Sequence, residues 1–217
     1  MKPISLLIFD LDGTLVNTLE DIAASVNYTL SRLGSPLLPL DRVRQYVGDG
    51  VEMLMTRSLG GRDGRLEDAV SLYKEHHRRN LTVRSALYPS VKETLEHFKS
   101  LPLSVISNKS AEFIGPLLDG LGIGRYFKLI IGADAGLPLK PAPDAVLRIL
   151  SELRVPKERT AMVGDGTSDI LAGRAAGVLT CAVTYGFRSE DELRKAGPGY
   201  VIHELSELKN LFKPESL

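Results

Sequence analysis

The stretch "LLIFDLDGTLVNT", from Leu6 to Thr18, decides the fold predicted for this chain. Four apolar residues run directly into two aspartates, Asp10 and Asp12, which are separated by a single leucine. This pattern predicts a buried strand with acidic side chains at its carboxyl end. Because two carboxylates this close repel each other, the pattern also predicts a cation or a bound proton that compensates their charge.

The composition is that of an ordinary globular protein and argues against several classes of protein. The chain has 217 residues, of which 43% are hydrophobic and 25% charged, enough for a core domain with a smaller second one. Lysine plus arginine equals aspartate plus glutamate, 27 each, which disfavours nucleic acid or a membrane as partner. The single cysteine, Cys181, excludes an intrachain disulfide and is expected in a buried strand. With no signal peptide or spanning segment, a cytoplasmic protein is expected.

Short apolar runs alternate with helical patterns along most of the chain. The runs are "ISLLIF", "LSVIS", "KLIIG", "TAMVG", "LTCAV" and "GYVI", and helical spacing lies between them, as in "SVKETLEHFKSL" and "PDAVLRILSEL". Continuous apolar strands separated by helices indicate a parallel sheet covered on both faces. We therefore predict an α/β fold with a doubly wound, Rossmann-like parallel sheet as its core.

Residues 17–84 break this rhythm. They show helical periodicity and no convincing strand, with turns expected at "GSPLLPLD" and "GGRDGR". We predict an inserted small helical cap domain over 17–84, and an α/β core formed by 1–16 and 85–217. Hinges are expected near 16–20 and 83–88. His76 and His77, in the charged stretch "KEHHRRN", are expected to be solvated.

Polar side chains follow the predicted strands where each one ends. Ligands of an open parallel sheet bind beyond the carboxyl ends of its strands. The residues found there are Asp10, Asp12, Ser107, Asn108, Lys109, Asp165 and Asp169, and Lys140 precedes a helix nearby. Carboxylate oxygens with no histidine or cysteine beside them favour Mg²⁺ as the ion. A phosphate dianion would enter such a site only with the metal and Lys140, so the chemistry predicted is phosphoryl transfer.

The motifs and their order along the chain resemble those of a known family. Asp10-x-Asp12-Gly13-Thr14, Ser107-Asn108, Lys140-Pro141 and Gly164-Asp165-(x3)-Asp169 resemble the four motifs of the haloacid dehalogenase-like hydrolase superfamily. Within it, the chain is most similar to phosphoglycolate phosphatases, also in segments outside the motifs, such as "YVGDGVEMLMTRSL" and "VTYGF".

The resemblance implies roles for the acidic residues. Asp10 would be the nucleophile that forms an aspartyl phosphate, and Asp12 the general acid and then the general base. Mg²⁺ would be held by Asp10, by the backbone carbonyl of Asp12 and by Asp165. Asp169 would hold metal-bound water or orient Lys140.

The resemblance also implies the phosphate contacts. Ser107 and the amide of Asn108 would bind the transferring phosphoryl oxygens, and Lys140 would balance their charge. Gly13 would let the backbone approach the phosphate closely. Thr14 would be a donor to the phosphate or only a turn residue.

The predicted cap offers candidates for the rest of the substrate. Gly48, Asp49 and Gly50 lie in "VGDGVE", a loop that opens a helix whose N-terminal amides suit a carboxylate. Alternatively, this loop is an ordinary turn with Asp49 as the helix cap. Lys109 either pairs with the same carboxylate or lies on the surface.

The substrate expected is a small phosphorylated metabolite, first of all 2-phosphoglycolate. A pyrophosphatase, or a phosphosugar phosphatase or mutase, would share every core motif. A dehalogenase would not need Asp12, and a non-catalytic protein would be expected to lack Asp10 or Asp165. The sequence leaves Mg²⁺ and Mn²⁺ both open, as well as a monomer and a homodimer.

Overall fold

The structure is a computed structural model that describes residues 1–61 and 64–215. Its strands are β1 (Lys2–Ile4), β2 (Leu6–Phe9), β3 (Val16–Asn17), β4 (Ala86–Leu87), β5 (Leu103–Ile106), β6 (Phe127–Ile131), β7 (Thr160–Gly164), β8 (Leu179–Val183), β9 (Tyr200–Ile202) and β10 (Phe212–Pro214). Its α-helices are α1 (Leu19–Arg32), α2 (Leu40–Tyr46), α3 (Val51–Ser58), α4 (Leu66–Arg79), α5 (Val91–His97), α6 (Ala111–Gly120), α7 (Asp144–Leu153), α8 (Thr167–Ala176), α9 (Glu190–Lys195) and α10 (Leu208–Leu211).

Six parallel strands form the central sheet, in the order β6-β5-β2-β7-β8-β9. The chain runs from β2 to β5 and β6 on one side, then returns to β7 on the other side of β2. Phe9, the last residue of β2, pairs with Val105 of β5 and Val163 of β7. The carboxyl ends of these three strands therefore meet where the strand order reverses, the position at which such sheets bind ligands.

Helices cover both faces of this sheet. Leu7 and Phe9 of β2 pack into one apolar layer together with helices α5 and α6. Leu6 and Ile8 point the other way and pack with helices α7 and α8. Because side chains alternate along a strand, a strand covered on both faces needs apolar residues at every position. The predicted doubly wound α/β fold is confirmed.

Helices α1 to α4 form an insertion with an apolar cluster of its own. The members of this cluster include Ile22, Val26, Val43, Met55 and Tyr73. The chain leaves and re-enters the core through β3 and β4, which pair antiparallel with each other. Helices α1, α3 and α4 agree with the helical periodicity predicted for this region. The cap boundaries at 17 and 84 stay a prediction.

Two local predictions were wrong. The run "ISLLIF" is not one strand, because Ser5 separates β1 from β2 and donates its hydroxyl to the carbonyl of Glu215 at 2.7 Å. The expected turn "GSPLLPLD" contains the start of helix α2, which begins at Leu40 and was not predicted; of its residues only Val43 is buried.

The expected turn "GGRDGR" lies partly outside the described residues, which omit 62 and 63. Among the described helices, none combines the length and apolar character that crossing a membrane requires.

Candidate active site

Three aspartates meet beyond the carboxyl ends of the central strands. Asp10 follows β2, Asp165 follows β7, and Asp169 lies in the first turn of α8. One carboxylate oxygen from each lies within 4.8 Å of the others, and all three residues are buried. This cluster of Asp10, Asp165 and Asp169 is called the carboxylate cluster below.

Lys140 lies against the carboxylate cluster and is only 5% exposed. Its Nζ donates to Asp10 Oδ1 at 2.7 Å, to Asp169 Oδ1 at 2.6 Å and to the carbonyl of Ile106 at 3.0 Å. These bonds use all the donors of an ammonium group. Burial alone would lower the pKa of Lys140, but the charges of Asp10 and Asp169 outweigh it and raise the pKa. Lys140 is therefore a buried, permanently charged partner of the cluster.

The carboxylates remain crowded in spite of Lys140. Burial raises the pKa of Asp10, and the charge of Asp169 adds to this effect while Lys140 opposes it. Burial and the charge of Asp169 likewise raise the pKa of Asp165 to about 7. Lys140 supplies one positive charge against three carboxylates, so a divalent cation would neutralise the remainder.

The surroundings of Asp165 leave room for its carboxylate and orient it. A Cβ at Gly13, whose φ is +91°, would lie 2.2 Å from Asp165 Oδ2, and a Cβ at Gly186 would lie 2.4 Å from the same atom. The hydroxyl of Thr14 donates to Oδ1 at 2.8 Å, and the amide of Phe187 donates to Oδ2 at 2.8 Å. Within the described part of the chain, the cluster offers only carboxylate oxygens as ligands, and these fit Mg²⁺ or a similar hard cation.

Gly13 and Thr14 lie next to the carboxylate of Asp165. The amide of Gly13 donates to the carbonyl of Val16 at 2.8 Å. Thr14 is fully buried, and its hydroxyl hydrogen is used on Asp165. Both residues border Asp165. Thr14 lies in a turn in which its amide donates to the carbonyl of Leu11 at 3.3 Å, and because its hydroxyl also donates to Asp165 it is not only a turn residue. The predicted phosphate contacts of Gly13 and Thr14 stay predictions.

The side chain of Asp12 bonds residues outside the carboxylate cluster. Its oxygens accept from Lys109 Nζ at 3.1 and 3.2 Å, and Oδ1 also accepts from the hydroxyl of Thr18 at 2.7 Å. The side chain of Lys109 is only 8% exposed, so the alternative that Lys109 lies on the surface was wrong. The predicted metal contact through the backbone carbonyl of Asp12 stays a prediction.

Asn108 ties three parts of the site together. Its side chain donates to the carbonyl of Gly48 at 2.9 Å and to the carbonyl of Lys140 at 3.0 Å, and it accepts from the amide of Lys140 at 3.0 Å. Ser107, before it, is buried and lines the cavity above the carboxylate cluster. The predicted phosphoryl contacts of Ser107 and of the Asn108 amide stay predictions.

The loop 48–50 also lines this cavity. The carboxylate of Asp49 pairs with Arg57 at 2.6 Å, and the residue that caps α3 is Gly50, with φ +86°. The alternative of Asp49 as a helix cap was therefore wrong. Substrate contacts of Gly48, Asp49 and Gly50 stay predictions.

A sequence profile described as haloacid dehalogenase-like hydrolase matches residues 7–183. The chain belongs to the haloacid dehalogenase-like hydrolase family.

Relatives within this family agree with the resemblance seen in the motifs. A phosphoglycolate phosphatase of Colwellia psychrerythraea is 36% identical over 93% of this chain and 94% of its own length. One of Nitrosococcus oceani is 36% identical over 97% of both chains. A crystal structure of a predicted phosphoglycolate phosphatase from Haemophilus somnus 129PT superposes with a TM-score of 0.92, at 27% identity, over 97% of this chain and 99% of that one. The predicted family, its phosphoglycolate phosphatase-like branch and the class of phosphoric monoester hydrolases are confirmed.

Several residues lining the cavity of this hydrolase were missed from its sequence. Tyr73 and His77 of α4 line it, together with Phe187 and Arg188 of the loop after β8. His77 is 1% exposed, so the expectation that it is solvated was wrong. The buried residues Ala69, Tyr73 and His77 recur every four positions, and this spacing could have placed His77 on the inner face of α4.

Arg188 connects the core of the hydrolase to the inserted helices. Its guanidinium donates to the carbonyl of Arg44 at 3.1 Å and to the carbonyl of Val47 at 2.5 Å. Phe187 beside it packs against the apolar cluster of α1 to α4 while its amide bonds Asp165. Cys181, by contrast, is buried in β8 as expected, and burial raises the pKa of its thiol.

Without a divalent cation, the hydrolase is expected to lose stability relative to its Asp165→Asn variant as the pH rises from about 4 to about 7. Asp165 has a pKa of about 7 in the folded protein, raised from 3.8. The folded state therefore binds a proton that the unfolded chain has already released, so Asp165 lowers stability progressively as the pH rises to about 7 and by a constant amount above it. His77, whose pKa is lowered by burial to about 2, contributes with the opposite sign, and it is present in both proteins that are compared. Each unit of pKa corresponds to ~1.4 kcal/mol, and thermal unfolding in EDTA across this pH range measures the effect.

Added Mg²⁺ is expected to reverse this dependence, because the ion binds the ionised carboxylates and stabilises the folded state most at high pH. The same dependence of the unfolding temperature on pH in EDTA for the wild type and for Asp165→Asn would contradict the expectation. So would a stabilisation by Mg²⁺ that is larger at pH 5 than at pH 8.

Proposed function

We propose that this chain is a Mg²⁺-dependent phosphatase that hydrolyses 2-phosphoglycolate through an aspartyl phosphate on Asp10. The observation that carries the proposal is the carboxylate cluster with Lys140 bonded to Asp10 at 2.7 Å. Such a site holds a nucleophilic carboxylate beside fixed positive charge. The substrate is taken from relatives called phosphoglycolate phosphatase, which align over 93% to 97% of the chain.

In the first half-reaction, an oxygen of Asp10 attacks phosphorus in line with the ester oxygen. The bond between phosphorus and the ester oxygen breaks, and Asp12 gives a proton to the departing oxygen. Asp10 Oδ1 accepts from Lys140, and no described residue donates a hydrogen bond to Oδ2. Oδ2 is therefore the oxygen proposed to attack.

In the second half-reaction, Asp12 takes a proton from a water molecule that attacks phosphorus. The bond between phosphorus and Asp10 breaks, which releases inorganic phosphate and restores both side chains. Asp12 must reach the leaving oxygen first, and in the present arrangement Lys109 contacts both of its oxygens. Lys109 is therefore proposed to leave Asp12 when the substrate binds.

The proposed ligands of the cation are Asp10, Asp165 and the backbone carbonyl of Asp12. When bound, Mg²⁺ would reduce the repulsion between the phosphate dianion and the carboxylates and stabilise the charge of the transferring group. Asp169 is proposed to orient Lys140, to which it is bonded at 2.6 Å, and Ser107 to bind a phosphoryl oxygen. Helices α1 to α4 are proposed to act as a cap that excludes bulk water.

The expected partner is a small phosphorylated metabolite, with no role for nucleic acid or membrane. The cytoplasmic location and the choice between monomer and homodimer stay predictions from the sequence.

Phosphate release from a panel of esters is expected to be fastest with 2-phosphoglycolate and to require Mg²⁺. The panel includes phosphosugars, nucleoside monophosphates and pyrophosphate, each measured with Mg²⁺ and with EDTA. The expectation follows from the excess negative charge of the carboxylate cluster, which repels a phosphate dianion unless a cation is bound.

The outcomes separate the parts of the proposal. Metal-dependent release that favours pyrophosphate or a phosphosugar would keep the mechanism and overturn the substrate. Equal release in EDTA would overturn the role of the cation. No release from any ester would overturn the proposed activity.

A further inference from the structure

In the part of the chain that the structure describes, one side chain that lines the cavity has a buried polar atom without a hydrogen-bond partner. Among the described residues, the buried side-chain atoms without a hydrogen bond are His77 Nε2, Thr94 Oγ1 and Ser104 Oγ. Of these residues, only His77 lines the active-site cavity. A buried polar group that is left unpaired costs stability, and such groups occur where a ligand completes them.

The ring of His77 is held in place on its other sides. Nδ1 lies 3.1 Å from the hydroxyl oxygen of Ser25 on α1. The ring stacks on Tyr73 with 5.1 Å between centroids and meets the edge of Phe113, from α6, at 5.2 Å. Because Nδ1 is engaged with α1, Nε2 lies on the side of the ring turned away from Ser25.

His77 belongs to the part of the cavity that surrounds Asp12. His77 and Tyr73 line the same cavity as Asp12 and Lys109. Burial lowers the pKa of His77 to about 2, and the charge of Lys109 contributes to this shift. Burial raises the pKa of Tyr73, and the charge of Asp12 adds to it. Since Asp12 is the proposed proton donor to the leaving oxygen, this is the wall that the leaving group of the substrate would contact.

The hydrogen bonds around Ser25 allow His77 to present an N–H group to the cavity. The Ser25 hydroxyl lies 3.1 Å from Nδ1 of both His76 and His77. The hydrogen of this hydroxyl donates to the carbonyl of Asp21 at 2.9 Å, and by rotation about the C–O bond it can turn instead to Nδ1 of His77. In that arrangement the single ring hydrogen of neutral His77 is on Nε2. An anionic group in the cavity, next to Lys109, favours this tautomer.

We propose that Nε2–H of His77 binds the carboxylate of the substrate, together with Lys109, and so selects phosphoesters of short hydroxy acids over neutral esters. The inference rests on the proposed function. Lys109 now donates to both oxygens of Asp12, so a substrate carboxylate that takes this ammonium also frees Asp12 for proton transfer.

The test compares 2-phosphoglycolate with ethyl phosphate, which has the same length without the carboxylate. In His77→Phe, which keeps the ring stack but removes both nitrogens, the ratio of kcat/KM for the two esters is expected to fall roughly tenfold or more, as for a lost hydrogen bond to a charged group. The fall in the ratio is expected to come from a higher KM for 2-phosphoglycolate, while kcat/KM for ethyl phosphate stays nearly unchanged. His77→Gln, which keeps an N–H donor, is expected to retain part of the preference.

His76→Phe is the matched control. His76 also lies 3.1 Å from the Ser25 hydroxyl and stacks on Tyr28, but it does not line the cavity. We expect the ratio of kcat/KM for the two esters to be the same in His76→Phe as in the wild type. The proposal is overturned if His76→Phe lowers the ratio as much as His77→Phe does. It is also overturned if both His77 variants lower kcat/KM equally for the two esters, because His77 then serves the fold and not the recognition of the carboxylate.

A binding measurement distinguishes failure of this inference from failure of the proposed function. Calorimetry with Mg²⁺ measures the affinity of both esters for Asp10→Asn, with and without His77→Phe. If the wild type hydrolyses neither ester, the proposed function fails, while a carboxylate preference in binding that His77→Phe removes still supports the subsite. If the wild type hydrolyses 2-phosphoglycolate and His77→Phe keeps its preference, only the inference is overturned.

Discussion

Replacing Asp10 with asparagine is expected to lower phosphate release from 2-phosphoglycolate by on the order of 10³-fold or more, while it raises the stability of the metal-free protein. Asparagine cannot form the proposed acyl phosphate, so the whole covalent route is lost. The metal-free protein gains stability because Asp10 is one of three crowded carboxylates, and burial raises its pKa. The amide oxygen of asparagine can still accept from Lys140. Phosphate release and thermal unfolding in EDTA measure the two effects.

The opposite directions of these effects distinguish a nucleophile from a structural residue. Asp191→Asn, at an exposed aspartate in α9, is the matched control and is expected to change neither activity nor unfolding temperature. Activity above a tenth of the wild type in Asp10→Asn would contradict the covalent mechanism. A lower unfolding temperature in EDTA would show that its bond to Lys140 outweighs the repulsion within the cluster.

The central sheet could be predicted because its strands are buried on both faces. Every residue of β2, β5 and β7 is buried, so a continuous apolar run was a sufficient signal. The parallel pairing of β1 with β10 joins Lys2 to Phe212, and no local pattern reports a contact between the two ends of a chain. Helix α2 was missed because a helix that buries one residue shows little periodicity.

The site could be predicted as a set of strand ends but not as a set of side-chain directions. Parallel topology alone brings Asp10 and Asp165 together, since both follow central strands. Nothing in the sequence indicates that Thr14 bonds Asp165 or that Lys109 pairs with Asp12. Those contacts depend on rotamers and on close packing between segments far apart in the chain, such as Gly13 against the carboxylate of Asp165.

Replacing Lys140 with methionine is expected to abolish activity and to destabilise the metal-free protein by ~3–5 kcal/mol near neutral pH, the usual cost of leaving a buried charge without its partner. Lys140 donates to Asp10 and Asp169, and both lie in the buried cluster. Methionine has a similar length but no charge. Chemical unfolding in EDTA measures the stability, and phosphate release with Mg²⁺ measures the activity.

The double variant Lys140→Met/Asp169→Asn then separates stability from catalysis. Removing Asp169, whose charge raises the pKa of both Asp10 and Asp165, is expected to restore much of the stability, because fewer unpaired charges remain buried. Activity is expected to stay absent, since no ammonium remains beside the nucleophile. Lys99→Met, in an exposed pair with Glu96, is the control and should behave as the wild type. Recovery of activity with stability in the double variant would show that Lys140 only neutralises Asp169 and takes no part in the reaction.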